Sequence, residues 1–329
     1  MNNLTFPILR LLADGRFQSG EAIAKHFGVT RATVWNALKE AEAMGVQLFS
    51  VRGRGYRLPE PIQLLDHDSV LAAIGEQRAW FNLEIHDQLE STNSYLMKKA
   101  SAGAAHATCV AASLQTRGRG RRGRAWQAGL GASLTFSLLW RFQSGASALS
   151  GLSLAVGVAL IRALHGLGVK GAELKWPNDV LVNYQNQYQK LAGILIELQG
   201  DMEGPSAAVI GIGINLHLPQ HLRRHIDQAA TDLQTVTKLL PNPSELLGAV
   251  LKNLADVLSE FERNGFTQLR EEWMQHHAYQ NRAVRLLLPD GRETQGVVTG
   301  IAQDGVLLVD TATGPQRFSA GEISLRGAG

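Results

Sequence analysis

Apolar positions in the first sixty residues recur at helical spacing and then switch to alternation. Leu4–Ala13 predicts a short apolar helix, with Pro7 tolerated in its first turn. Ser19 is a good N-cap for a helix over Gly20–Phe27, with Glu21 near its positive end. Gly28 supplies a left-handed turn residue, and Thr30 caps a third helix running from Arg31 towards Met44. Gln47–Leu58 alternates around Arg52-Gly53-Arg54-Gly55, as a hairpin with a glycine-rich tip does, and Pro59-Glu60-Pro61 marks a linker.

From Leu64 to about Gly265 strands and helices mix. Cys109–Leu114, Leu134–Trp140, Gly193–Leu198 and Ala207–Ile212 read as strands. Thr92–Ala100, Leu149–Gly166 and Ser244–Asn264 read as helices; the last carries Leu247, Leu251, Leu254, Leu258 and Phe261 on one face. The tail changes character. Val284–Leu288, Gly296–Ile301, Val306–Asp310 and Gln316–Ser319 are short strands punctuated by Asp290-Gly291, Asp304-Gly305 and Thr313-Gly314, a small all-β module. No repeat of fixed period is visible. The pattern predicts an α+β multidomain chain.

Composition adds limits. Of 329 residues, 45% are hydrophobic and 19% charged, an ordinary globular balance, and about 150 residues per domain gives two to three domains. The sole cysteine, Cys109, excludes an internal disulfide scaffold and favours a reducing compartment. Met1–Gly15 has no basic region ahead of its apolar stretch, and Phe142–Ile161, the longest uncharged run, is too polar for a membrane span. A cytoplasmic protein with no membrane partner is expected.

Charge is more telling by location. The whole formal +3 sits in residues 1–60, with eight Lys/Arg against five Asp/Glu. Between Glu90 and Glu173 there is no acidic residue but ten Lys/Arg, five of them in Arg117–Arg124. Two basic zones imply two anionic partners.

In the first zone, small Ala24, Gly28 and apolar Val34 stand where a helix-turn-helix needs a close helix contact, a turn and a core-facing residue. Arg31, Trp35 and Lys39 line another face at i, i+4 steps, with Thr33 and Asn36 beside them. Such a face reaches base edges and phosphates, and Arg52 and Arg54 on the hairpin tip make a wing for the adjacent backbone. A small helical domain with an idle basic face is the plainer alternative.

The second zone centres on Thr116–Arg124, where glycines expose backbone N–H groups and arginines offer forked donors to phosphate or carboxylate. Gly118-x-Gly120-x-x-Gly123 formally matches the dinucleotide fingerprint. That motif needs a following helix and an acidic residue about 20 positions on, whereas Ala125–Trp140 lacks helical periodicity and no acid precedes Glu173. A phosphate-binding P-loop needs Gly-Lys-Ser/Thr, but Gly123 is followed by Arg124-Ala125. Flanking strand-like runs argue against a disordered arginine–glycine tail. A mobile, anion-binding active-site loop is expected.

Four further segments, Ser91-Thr92-Asn93, Lys175-Trp176-Pro177-Asn178-Asp179, Lys190-Leu191-Ala192-Gly193-Ile194-Leu195 and Gly211-Ile212-Gly213-Ile214-Asn215, complete a set with this loop. Together they resemble the biotin protein ligases, and the N-terminal module resembles the bifunctional bacterial form that also represses the biotin operon. The resemblance implies a winged helix-turn-helix over 1–62, a mixed α/β ligase core of class II synthetase type over 63–272, and a small SH3-like β-barrel over 273–329. It implies ATP and Mg²⁺, biotin as substrate, and biotinyl-5′-AMP as intermediate and corepressor. The implied partners are the biotin carboxyl carrier protein of acetyl-CoA carboxylase, operator DNA of biotin synthesis genes, and a second copy of the chain when adenylate is bound.

The same resemblance assigns Lys190 and Arg121 as catalytic. Ser91, Thr92, Asn93, Gln115, Arg119, Gly120, Arg121 and Lys190 match biotin-contacting positions. Arg121, Arg124, Trp126, Lys175, Asn178 and Asn215 match the nucleotide side, with Asp179 the carboxylate for Mg²⁺. Trp126 either walls the nucleotide or is a core tryptophan. The stretch Val180–Gln189 is longer and more polar than the short basic linker the family leads one to expect. A lipoate or octanoyl ligase, and a biotin-sensing regulator with a dead core, are the alternatives; Arg121 and Lys190 are both present. His221, His225, His276 and His277 have no third partner at metal-ligand spacing and read as surface histidines.

Overall fold

The computed structural model describes residues 3–200, 202–237, 240–288, 291–319 and 324–327; the predicted turn residue Asp290 lies outside them. The N-terminal module has three helices, α1 (Thr5–Leu11), α2 (Gly20–Phe27) and α3 (Arg31–Ala43), and a hairpin of β1 (Phe49–Val51) and β2 (Gly55–Arg57). Its caps follow the sequence. Ser19 Oγ accepts from Ala22 N, Thr30 Oγ1 accepts from Thr33 N, and Gly28 closes α2 at φ +65°. Ala24 and Val34 are buried in a core with Ile8, Leu9, Ile23 and Leu38.

The central region runs α4 (His67–Ile74), β3 (Asn82–Leu89), α5 (Thr92–Ser101), β4 (Thr108–Gln115), β5 (Ser133–Phe142), α6 (Leu152–Gly166), β6 (Ala172–Lys175), β7 (Asp179–Tyr184), β8 (Gln187–Gly200) and β9 (Ser206–Asn215). It continues with α7 (Gln220–Arg223), α8 (Leu233–Val236), α9 (Pro243–Asn264) and α10 (Arg270–Gln275). The seven strands form one mixed sheet in the order β3-β4-β5-β9-β8-β7-β6. Only β3 and β4 are parallel, across the crossover helix α5. Helices α6 and α9 cover one face in a large apolar core, and α5 packs on the other through Leu96 and Ala100 against Val110, Leu139 and Val209.

The C-terminal module is a five-stranded antiparallel sheet of β10 (Ala283–Leu287), β11 (Glu293–Ile301), β12 (Leu307–Thr311), β13 (Gly314–Phe318) and β14 (Ser324–Gly327), in the order β13-β12-β11-β10-β14. Its Val284, Leu286, Val298 and Leu325 belong to the same core as α6 and α9.

Four sequence expectations change. His277, read as a surface histidine, is buried at 5% exposure. The helix predicted from Leu149 starts at Leu152, because Gly151 turns left-handed ahead of it. Val180–Gln189 is no linker: it is the β7–β8 hairpin, turned by Gln185 and Asn186 at φ +53° and +62°. Strands β3, β6, β7 and β14 and helices α4 and α10 add to the elements the periodicity predicts.

Candidate active site

One cavity of about 320 Å³ lies on the α5 side of the sheet. It gathers segments from Ser91 to Leu325 that are far apart in sequence. Its floor is glycine. Gly193 on β8 stands opposite Gly213 on β9, and Gly211 pairs with Leu195 beside them. A Cβ at Gly213 would lie 2.4 Å from the Trp126 ring, and one at Gly211 would lie 2.1 Å from Asn93 Oδ1. The sheet is bare here because side chains from α5 and from the arginine loop lie directly on its backbone.

One wall is the start of α5. Ser91 caps the helix, accepting from Ser94 N, and this holds Thr92 and Asn93 inward and buried. Thr92 N donates to Gln115 Oε1 at 2.7 Å, Thr92 Oγ1 lies 2.7 Å from Ser137 Oγ, and Ser137 Oγ donates to Asn93 Oδ1 at 2.6 Å.

The loop forms the opposite wall and is tightly folded. Gly120 N donates to Arg124 O, Trp126 N donates to Gly118 O, and Arg122 is left-handed at φ +57°. Arg119 grips Glu197 on β8 with two bonds of 2.8 and 3.1 Å. Arg121 donates to Asn178 Oδ1 at 2.9 Å. Burial pushes its guanidinium below the ordinary range, Asp179 opposes this, and Arg122 and Arg124 add to it. Arg122 and Arg124 are exposed.

At the far end, Lys190 Nζ lies 2.7 Å from Asp179 Oδ1 as an ion pair, out of line for a hydrogen bond, with both side chains about 15% exposed. The ammonium also sits 5.6 Å from the centre of the Trp126 ring. Asn178 ties the turn between β6 and β7 to β8, donating from Nδ2 to Ile194 O at 2.9 Å and accepting from Ile194 N at its own carbonyl. Both polar side-chain atoms of Asn178 are therefore engaged by protein. Asn215 likewise donates to Lys190 O and Thr231 O. These two residues, expected from the sequence as nucleotide contacts, tie the cavity wall to the backbone at Ile194, Lys190 and Thr231.

All the expected ligand-site residues line this cavity, Lys175 among them. The sequence missed Glu197, Ser137 and the segment His225–Ala230, which completes the rim. That segment follows α7, and Arg223 closes it by bonding Leu218 O, Ala230 O and the buried Asp232. Its signal was weak: nothing in the local pattern pairs Arg223 with Asp232. Among the described residues no group of three or more His, Cys, Asp or Glu side chains is placed to hold a metal ion.

On the N-terminal module, Arg31, Trp35, Asn36 and Lys39 are exposed along α3, and Thr33 is half-buried against Thr30. Lys39 pairs with Glu42, and Arg54 of the wing lies over the Phe17 ring. Arg52 is exposed at the wing tip. The module rests on the core beside the cavity rim: Gln47 bonds His221 at 3.2 Å, Glu60 pairs with His217 at 3.3 Å, and Arg10 pairs with Asp87.

A winged helix-turn-helix set on a mixed-sheet core with a cationic ligand cavity defines a DNA-binding enzyme. The model of the biotin/lipoate A/B protein ligase family matches residues 85–215, an HTH domain model matches 5–57, and the biotin protein ligase C-terminal domain model matches 280–326. The chain is similar to the bifunctional ligase/repressor BirA of Salmonella typhimurium, 35% identical with all of both chains covered. It is 34% identical to that of Escherichia coli, over 99% of this chain and 98% of the relative. A solved biotin protein ligase from Aquifex aeolicus in complex with biotin and ATP has a similar fold: TM-score 0.63 and 29% identity, covering 75% of this chain and 99% of that one. The chain belongs to the biotin protein ligase family, in its bifunctional ligase/repressor form. Among the described residues no helix is long and apolar enough to cross a membrane.

Proposed function

We propose that the protein joins biotin to ATP and passes it to a lysine of the biotin carboxyl carrier protein of acetyl-CoA carboxylase, and that its adenylate-bound form represses biotin synthesis genes. The observation that carries this is the convergence of the Ser91–Asn93, Arg117–Arg124, Lys175–Asp179, Lys190–Leu195 and Gly211–Asn215 segments on one cavity. In the first half-reaction a carboxylate oxygen of biotin bonds to the α-phosphorus of ATP and pyrophosphate leaves. In the second, the carrier amine bonds to the acyl carbon and AMP leaves.

Bringing a carboxylate against a triphosphate requires cations in a site of low dielectric. Lys190, at 15% exposure, serves the reacting centre, and Arg121 serves the carboxylate and phosphate from the loop. Ser91, Thr92, Asn93 and Gln115 take the biotin head with Arg119 and Gly120, while Arg124, Trp126, Lys175, Asn178 and Asn215 frame the nucleotide. Asp179 would hold Mg²⁺, which suits a cavity lined by few carboxylates, Asp179 and Asp227, since it keeps most of its water and takes phosphate oxygens. The ion would supply charge neutralisation on the triphosphate. Residues 1–62 form the DNA-binding part, 63–272 the ligase core and 273–329 the C-terminal module. Incubation with ATP, biotin and a carrier domain should add one biotin to the carrier by mass spectrometry; an unmodified carrier would refute the assignment.

One winged helix covers little DNA, so specific repression requires two copies on a palindromic site. The adenylate must then favour the homodimer over the monomer, because a ligand indifferent to both shifts nothing. Arg31→Ala should lose operator binding in a gel-shift assay while ligase activity stays at the wild-type level. Joint loss of both would refute the separation of the two sites.

A further inference from the structure

We infer that Phe17 is a positioning residue of the DNA-binding module: it gathers Arg54 and Arg57 of the wing on its ring and holds them together for a phosphodiester group of the DNA backbone. The inference rests on the reading that residues 1–62 bind DNA, and it adds Arg57 to the residues that meet the duplex.

Phe17 and Phe49 both stand outside the apolar core of the N-terminal module. Their rings carry guanidinium groups instead. Arg54 lies 4.3 Å and Arg57 5.1 Å from the centre of the Phe17 ring, and Arg57 also lies 4.9 Å from the centre of the Phe49 ring. Register brings the last pair together, since Phe49 on β1 is directly opposite Arg57 on β2. Phe17 is fixed beside them by backbone and not by its own side chain. Its neighbour Gln18 donates from N to Tyr56 O and accepts from Tyr56 N, both at 2.9 Å. Gly55, at φ +98°, permits this close approach: a Cβ there would lie 2.1 Å from Gln18 O. The wing is therefore clamped to the Phe17–Gln18 segment, and two of its arginines converge on one ring.

Charge gives the arrangement its meaning. Two guanidinium groups brought onto one ring repel each other, and a nearby negative charge relieves this. Other basic side chains of the module have such a partner: Arg10 pairs with Asp87, Arg16 with Asp14 and Lys39 with Glu42. Among the described residues no carboxylate pairs with Arg54 or Arg57. Arg57 Nε is buried without a partner, so the terminal amino groups are what this side chain offers a ligand. A phosphate group, with several acceptor oxygens, can take donors from both forks at once. Stacking also restricts two long side chains before DNA arrives, so less rotamer freedom is lost on binding.

The test measures the affinity of the full-length protein for a random-sequence DNA duplex over a series of salt concentrations. Arg57→Ala should lower the slope of log affinity against log salt by about one. Phe17→Leu keeps every charge and the backbone clamp, so it should keep the slope yet weaken binding about fivefold. Phe17→Tyr retains the ring and should bind within about twofold of wild type. In an Arg54→Ala/Arg57→Ala background, Phe17→Leu should cause no further loss, because it acts only through those two side chains. An unchanged slope in Arg57→Ala overturns the inference, and so does wild-type affinity in Phe17→Leu or an equal loss in Phe17→Tyr. A loss from Phe17→Leu that persists in the doubly substituted background reports a fold defect and not positioning, which also overturns it. Wild-type protein that binds no duplex would instead refute the reading of this module as DNA-binding.

Discussion

Lys190→Ala should slow adenylate formation by about 10²–10³-fold, on the order of 3–4 kcal/mol, as measured by pyrophosphate release. Two effects add. The variant loses the cation paired with Asp179 beside Trp126, and it leaves the Asp179 carboxylate, 14% exposed, without that partner before an incoming triphosphate. The double variant Lys190→Ala/Asp179→Asn separates them: relief of the stranded charge should recover part of the loss, and the remainder is the contribution of the ammonium. Pyrophosphate release near the wild-type rate in Lys190→Ala would remove this residue from the reaction.

The second large effect concerns retention of the intermediate. Arg121 comes from the loop and is fastened to Asn178, which is itself locked to β8, so one guanidinium ties the loop wall to the sheet. A hydrogen bond to a charged group contributes about 1.5–3 kcal/mol, so Arg121→Ala should release the adenylate about ten- to a hundredfold faster. Chasing preloaded enzyme with excess unlabelled biotin measures this. Escaped mixed anhydride acylates any accessible amine, and an unrelated protein added to the mixture should gain biotin on its lysines. A bystander that stays unmodified, together with unchanged release, would contradict this role.

The N-terminal module was legible because its determinants are local. Ser19 and Thr30 cap within three residues, and Gly28 needs only its own φ. The arginine loop was legible from composition, since acid-free, glycine-spaced arginine is unusual enough to mark an anion-binding segment, whereas Lys190 was marked only by the family resemblance. Tertiary pairing was not. Glu197 meets Asn93 across 104 residues, and its own strand gives no hint of that partner. The β7–β8 hairpin was hidden because Gln185 and Asn186 adopt the left-handed turn without glycine, so a polar run looked like a linker. Asn178 and Asn215 illustrate a third limit. Their presence in the site follows from motif, but that each spends its side-chain NH₂ on a backbone carbonyl follows only from the folded sheet.

The glycine floor has a consequence for how this site can change over generations. At Gly211 and Gly213 even one methyl group would collide with Asn93 or Trp126, and at Gly193 it would crowd Lys190 and Trp126 at 3.1–3.2 Å. The base of the cavity is thus closed to gradual retuning: no graded series of larger side chains is open there, and a first step already displaces a wall. New ligand preferences must enter through residues that stand on the rim and behind the walls. Variation among descendants should therefore concentrate there, while Gly211 and Gly213 tolerate only the residue that has no side chain to offer.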